Sequence, residues 1–259
     1  MRLFAAALTG LAFTALALPA AAQTGDRRVE VTYAAIARGV AAGEFTYTFT
    51  QTGSAYRVNA QRRLSGLART LMGDSQDYTY SVTGAVNANG ALVPAAYQHR
   101  GGRRDRVVRS TFSATDIVTT ATPRMGLGNP PATTAQKRGA VDQLTAIASM
   151  IIANGNPCAR TVPVYMDGRS RFDFVMTPNG TIDVNTSAYR GRAQRCSVQF
   201  RPIAGFSDPQ EPATLTFLFA PTASGLHAPI RIEMPSEDAG VVRLEARRLS
   251  VNGQALRTS

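Results

Sequence analysis

The residues able to do chemistry are few. His99 and His227 are the only histidines, Cys158 and Cys196 the only cysteines, and tryptophan is absent. A serine or cysteine nucleophile needs a base within hydrogen-bond reach, and no G-x-S-x-G, S-x-x-K or H-E-x-x-H pattern supplies one. Both histidines fall beside expected strand ends, where an ordinary polar surface role is the simpler reading. Paired carboxylates would suit glycoside hydrolysis, but Asp167, Asp173, Glu233, Glu237 and Asp238 fall mostly at expected turns. The sequence therefore predicts no catalytic residue, no metal site and no cofactor.

The cysteines read as a structural pair. A metal site needs further ligands at short spacing, and the histidines are far away in sequence. A redox pair favours C-x-x-C, which these cysteines lack. An even pair in an exported chain predicts a Cys158–Cys196 disulfide.

Arginine is the remaining chemical resource, in two groups. Arg100, Arg103, Arg104, Arg106 and Arg109 surround Gly101-Gly102. At a hairpin tip they would be solvated and keep the edge from sticking; the alternative is bidentate capture of phosphate or carboxylate. The second group, Arg160, Arg169, Arg171, Arg190, Arg192, Arg195 and Arg201, lies within or beside the cysteine loop, offset by Asp167, Asp173 and Asp183. Arg160, Arg169, Arg171, Arg190, Arg192 and Arg195 are the candidate ligand contacts for an anionic head, with Ile147 and Ile151 for an apolar tail. Structural pairing, such as Arg171 with Asp173, competes with that reading.

These residues need elements to hold them. Leu144, Ile147, Ala148, Ile151 and Ile152 recur at helical spacing, with Asp142 as N-cap and Asn154-Gly155 as a stop, so a helix is predicted over Val141 to Ala153. Its apolar face is wide enough for burial inside a curved sheet, while Asp142, Thr145 and Ser149 form a narrow stripe expected to face a polar gap or the rim. A short second helix is expected over Leu64 to Leu71, ended by Gly73. Elsewhere the period is two: Phe45, Tyr47 and Phe49 alternate with threonines, and Val29, Val31 and Tyr33 precede them in the same pattern. Further strands are expected at 91–99, 104–112, 115–121, 161–166, 170–176, 181–189, 194–203, 214–219, 228–234 and 241–251. Asn89-Gly90, Asp167-Gly168, Asn179-Gly180 and Asn252-Gly253 suit tight hairpin turns. The predicted fold is mainly β: one extended antiparallel meander, curled into an open barrel or β-spiral around one buried helix, plus one short helix.

Met1-Arg2, the apolar run to Leu18 and Ala20-Ala21-Ala22 form a secretory signal peptide over residues 1–22, leaving residues 23–259 as a single β-rich domain. A periplasmic location without a transmembrane segment is expected. Arginine and lysine number 28 against 17 acidic residues, a formal charge of +11. That balance favours lipid headgroups or an anionic envelope polymer as partners, and export argues against nucleic acid.

The stretch Cys158-x-Arg160-Thr161-x-Pro163-Val164-x-x-Asp167-Gly168-Arg169-x-Arg171-x-Asp173, followed by Tyr189-x-Gly191-x-Ala193-x-x-Cys196 and Pro202-Ile203-Ala204-Gly205, resembles the exported proteobacterial family called domain of unknown function 3108. The resemblance covers most of residues 23–259 and implies a curved all-β envelope protein, with no catalytic residues to carry over. Three functions compete: a non-enzymatic binding protein or carrier for a lipid or lipidated protein, an envelope-integrity factor acting through a protein partner, and a hydrolase. A large apolar cavity beside Ile147–Ile152 would favour the first, a core filled by the helix the second, and titratable groups converging in a cleft the third.

Overall fold

A computed structural model describes residues 26–66, 69, 77–236 and 240–256. The strands are β1 (Arg27–Ala37), β2 (Val40–Thr52), β3 (Ala55–Leu64), β4 (Tyr78–Val86), β5 (Leu92–Gly101), β6 (Arg106–Phe112) and β7 (Ile117–Thr122), then β8 (Arg160–Met166), β9 (Ser170–Asn185), β10 (Arg190–Ala204), β11 (Ala213–Pro221), β12 (His227–Ser236), β13 (Gly240–Val251) and β14 (Gln254–Ala255). Two helices, α1 (Thr134–Lys137) and α2 (Gln143–Ile151), lie between β7 and β8. No helix among the described residues is long and apolar enough to cross a membrane.

All strands join one antiparallel sheet in the order β7-β6-β5-β4-β3-β2-β1-β13-β12-β11-β10-β9-β8, with β14 beside β13. The meander from β1 to β7 and the returning meander from β8 to β13 are sewn together where β1 pairs with β13. The outer edges are β7 and β8, so the sheet is not closed by a strand ladder. The segment between them ties the two edges. Val141 donates to the Pro163 carbonyl and accepts from the Tyr165 amide, while Lys137 Nζ donates to the Ile117 carbonyl and pairs with Asp116 at 2.7 Å.

The turn Asp167-Gly168, with φ of 52° and 72°, carries β8 into β9 and packs against the opposite end of the sheet. A Cβ on Gly168 would lie 2.6 Å from Thr119 Cγ2 and 2.8 Å from Val108 Cγ1. Glycine is required there twice, by conformation and by close approach. Asn179-Gly180 behaves differently from its expected hairpin role. It sits inside the 16-residue β9, where the register against β10 slips between Gln194 and Cys196. Only Gly180 of the pair has positive φ; one left-handed residue makes a bulge, whereas a type I′ turn needs two. The expected strands 170–176 and 181–189 are therefore parts of one strand, which ends at Asn185, with residues 186–189 forming the turn into β10. The expected helix over 64–71 begins on the last residue of β3 and otherwise falls mostly outside the described residues; the short helix that is described is α1.

Helix α2 is capped as its sequence predicts: Asp142 Oδ1 accepts from the amides of Leu144 and Thr145. Leu144, Ala148, Ile151 and Ile152 pack into one apolar cluster with Val29, Tyr47, Val58 and Ile230, while Ala146 and Met150 pack into a second with Phe172, Val198 and Phe217. Cys158 and Cys196 are disulfide-bonded within that second cluster, Cα atoms 5.2 Å apart.

The polar stripe does not reach a rim. Asp142 and Thr145 are fully buried. Thr145 Oγ1 donates to Asp142 Oδ2 at 2.6 Å and meets the Tyr56 hydroxyl at 2.8 Å, while the Tyr47 hydroxyl donates to the Leu144 carbonyl. Tyrosines reaching in from β2 and β3 supply the partners that the sequence reading assigned to solvent. Only Ser149, half-buried, keeps its polar atom on the helix itself, donating to the Ala146 carbonyl.

That network has a pH consequence. Burial pushes the Asp142 carboxyl up to about 6, against hydrogen bonds from Thr145 and the backbone that pull it down. A raised carboxyl stabilises the fold fully below its unfolded value near 3.8, and that contribution is lost as pH rises through about 6. Two pKa units correspond to about 3 kcal/mol. Asp142→Asn keeps a cap acceptor without the charge, so the variant should gain stability relative to wild type between pH 4 and pH 6. Urea midpoints across that range check it; parallel pH curves for the two proteins would contradict it.

Candidate functional site

Register builds a polar hollow on the β3–β6 region. Arg62 pairs across the sheet with Tyr78, Tyr78 with Gly101, and Gly101 with Arg106, so these four residues form one row over four strands. Two residues along, Ala60, Tyr80, His99 and Val108 form the next row on the same face. Gly101, with φ of 149°, has no side chain to fill the first row, and the row opens into a cavity of about 470 Å³. The Arg62 guanidinium carbon stands 4.5 Å from the centre of the Tyr78 ring. Tyr78 and Tyr80 stack at 5.9 Å, with His99 about as close to each.

The β5–β6 turn brings Arg103 and Arg104 to the same cavity, and the β8–β9 turn brings Asp167 and Arg169 from the other edge of the sheet. Arg103 and Arg104 are exposed. Arg106 is held by the carbonyls of Pro123 and Arg124, and Arg169 by Ser207 Oγ at 2.7 Å. None of these four guanidinium groups has a carboxylate partner among the described residues. Elsewhere the arginines near acids do pair: Arg100 with Asp105, Arg171 with Asp173, Arg231 with Glu245 and Arg243 with Glu233.

Asp167, the one carboxylate in the wall among the described residues, is occupied from below. Tyr97 donates to Asp167 Oδ1 at 2.9 Å, Gln143 Nε2 donates to the same oxygen at 2.7 Å, and His99 Nδ1 lies 3.1 Å from the Tyr97 hydroxyl. With Tyr97 donating to Asp167, its oxygen is free to accept from His99 Nδ1–H and from Gln143, which is 2.6 Å away. This places a proton on His99 Nδ1. Burial lowers the His99 pKa, Asp167 raises it and Arg106 lowers it again. The wall thus offers positive charge and aromatic surface. Among the described residues its hydroxyls are tyrosine phenols, and no serine, threonine or cysteine lines it.

His99 is only 6 % exposed, so its expected role as an ordinary surface residue is corrected. His227 is half-buried, against the backbone at the end of α2. Of the six arginines expected to share a ligand site, Arg169 alone lines this cavity. Arg160 donates to the Ser149 carbonyl, where it meets the negative end of α2. Arg171 is buried against the Gln136 carbonyl and Asp173. Arg190, Arg192 and Arg195 bond Asn185, Thr181 and Asn179 along the β9–β10 hairpin. The disulfide does not gather them. Ile151 is fully buried and Ile147 partly so, both in the core and neither lining the cavity. Sequence reasoning missed Arg62, Tyr78, Tyr80, Tyr97 and Gln143. Only the run Arg100 to Arg106, with its two glycines, signalled the place. Among the described residues no group of three or more His, Cys, Asp or Glu side chains could hold a metal ion.

A rolled, open antiparallel sheet with a basic, aromatic-lined hollow between its two edges defines a mainly β protein. The chain belongs to the family described as Protein of unknown function (DUF3108), whose model matches residues 28–247. No curated protein matches it.

Proposed function

We propose that this is an exported, non-enzymatic binding protein of the periplasm that holds the anionic group of an envelope lipid or lipidated protein in the seam cavity. One observation carries the reading: Arg103, Arg104, Arg106 and Arg169 converge on one hollow without a carboxylate partner among the described residues. Buried or clustered guanidinium groups repel one another unless an anion joins them, and their planar forks fit phosphate and carboxylate oxygens. Export is supported by the charged start, apolar run and small-residue site of residues 1–22, and by the disulfide.

The interior beside Ile151 is filled by α2, so the ligand's place in this reading is the seam and not the core. A filled core equally suits an envelope factor that docks on a protein through the same basic hollow. The two readings differ in whether a small anion binds alone. In a titration of the protein with inorganic phosphate followed by amide NMR shifts, the binding reading predicts saturable changes at Gly101, Gly102 and Gly168, abolished in Arg103→Gln/Arg104→Gln. Shifts that are absent, or that centre on Arg190 to Arg195, would leave it without support.

A further inference from the structure

Resting on that reading, we infer that the ligand carries two phosphoryl groups within one headgroup-sized body, one held by Arg103, Arg104 and Arg106 and the other by Arg169. The first three arginines belong to the β5–β6 turn and the start of β6, near one edge of the sheet order; Arg169 follows the β8–β9 turn at the other edge. These strands are not hydrogen-bonded to each other, so a ligand held from both sides bridges the open seam.

Charge sets the number of groups. A phosphoryl monoester carries about 1.5–2 negative charges at neutral pH. One such group leaves about half of four guanidinium charges unmet, and two come close to matching them. Asp167, whose Oδ1 is held by Tyr97 and Gln143, offsets about one of these charges, and the remaining three still exceed one phosphoryl group and are matched by two. Size agrees: about 470 Å³ is within the range of sites for organic ligands and generous for a single inorganic anion.

Calorimetric titration of the mature protein with orthophosphate and with pyrophosphate tests the proposal, using Arg104→Gln, Arg169→Gln and, as a control remote from the cavity, Arg190→Gln. Pyrophosphate should bind wild type at least about tenfold more tightly, the value of one further charge-assisted contact. Either Arg104→Gln or Arg169→Gln should remove that preference while orthophosphate still binds, and Arg190→Gln should keep it. Equal affinity for the two anions would overturn the two-group ligand and leave the anion site standing. Binding of neither anion would overturn both. A preference that survives Arg104→Gln and Arg169→Gln would overturn the seam-bridging geometry. Competition against pyrophosphate then separates the sources: displacement by vesicles of a lipid bearing two phosphomonoesters (diphosphoryl lipid A) beyond vesicles of its monophosphoryl form at equal total charge assigns a lipid headgroup, and displacement by neither assigns a soluble diphosphate, both in keeping with the two-group chemistry.

Discussion

Ile151→Asp should leave the protein without a cooperative unfolding transition. Ile151 is fully buried in α2, among the apolar side chains that join the helix to β1, β2, β3 and β12. Nearby polar groups cannot rescue a carboxylate there. Thr145 and the helix N-terminal amides are committed to Asp142, and the Tyr47 and Tyr56 hydroxyls to Leu144 and Thr145. An unpaired buried carboxylate, with the loss of the isoleucine's own packing, costs more than about 4–5 kcal/mol. Ordinary domains are stable by only about 5–15 kcal/mol in all. Ser149→Asp on the same helix should cost far less, because Ser149 is half-buried and Arg160 reaches its carbonyl. Circular dichroism with urea titration of both variants checks the contrast. A cooperative Ile151→Asp protein within about 1 kcal/mol of wild type, the usual range for an exposed substitution, would contradict the packing described.

Removing the disulfide should be nearly as damaging. Cys158 follows α2 and Cys196 lies in β10, 38 residues on, both with no exposed surface. Closing a loop of that length restricts the unfolded chain by about 4 kcal/mol on loop entropy alone. The bond also fixes the segment that leads from the helix into edge strand β8, whose outer side carries, among the described residues, only the Val141 bridge. Cys158→Ser/Cys196→Ser should therefore lower the unfolding free energy by about 4 kcal/mol, read from urea midpoints with intact mass before and after reduction. A loss below about 1 kcal/mol would mean that the loop is already constrained without the bond.

Much of the scaffold was legible because its signals are local. Phe45, Tyr47 and Phe49 alternate as residues of a sheet with one buried face, and Asp142 followed by apolar residues at helical spacing marks a capped helix. Two cysteines leave one possible pairing. Asn179-Gly180 was ambiguous for a physical reason: the same dipeptide serves a hairpin or a bulge, and the register of β9 against β10 decides which. The buried stripe of α2 was misread because polar residues on a helix suggest solvent, and only the tertiary approach of Tyr47 and Tyr56 gives them partners. The seam cavity was least legible of all. Arg62, Tyr78, Gly101 and Arg106 become neighbours through the register of four strands, and Arg169 joins them only because the sheet rolls its far edge round to meet them. Sequence proximity pointed instead to the cysteine loop, where the arginines alternate along strands and find separate partners.

Native mass spectrometry of the protein, isolated from the cells that make it, tests the anion-binding account most directly. The account predicts a mass adduct on wild type, an acidic molecule on extraction, and its loss in Arg103→Gln/Arg104→Gln prepared in parallel. Wild type without an adduct, or an adduct held equally by the double variant, would contradict it.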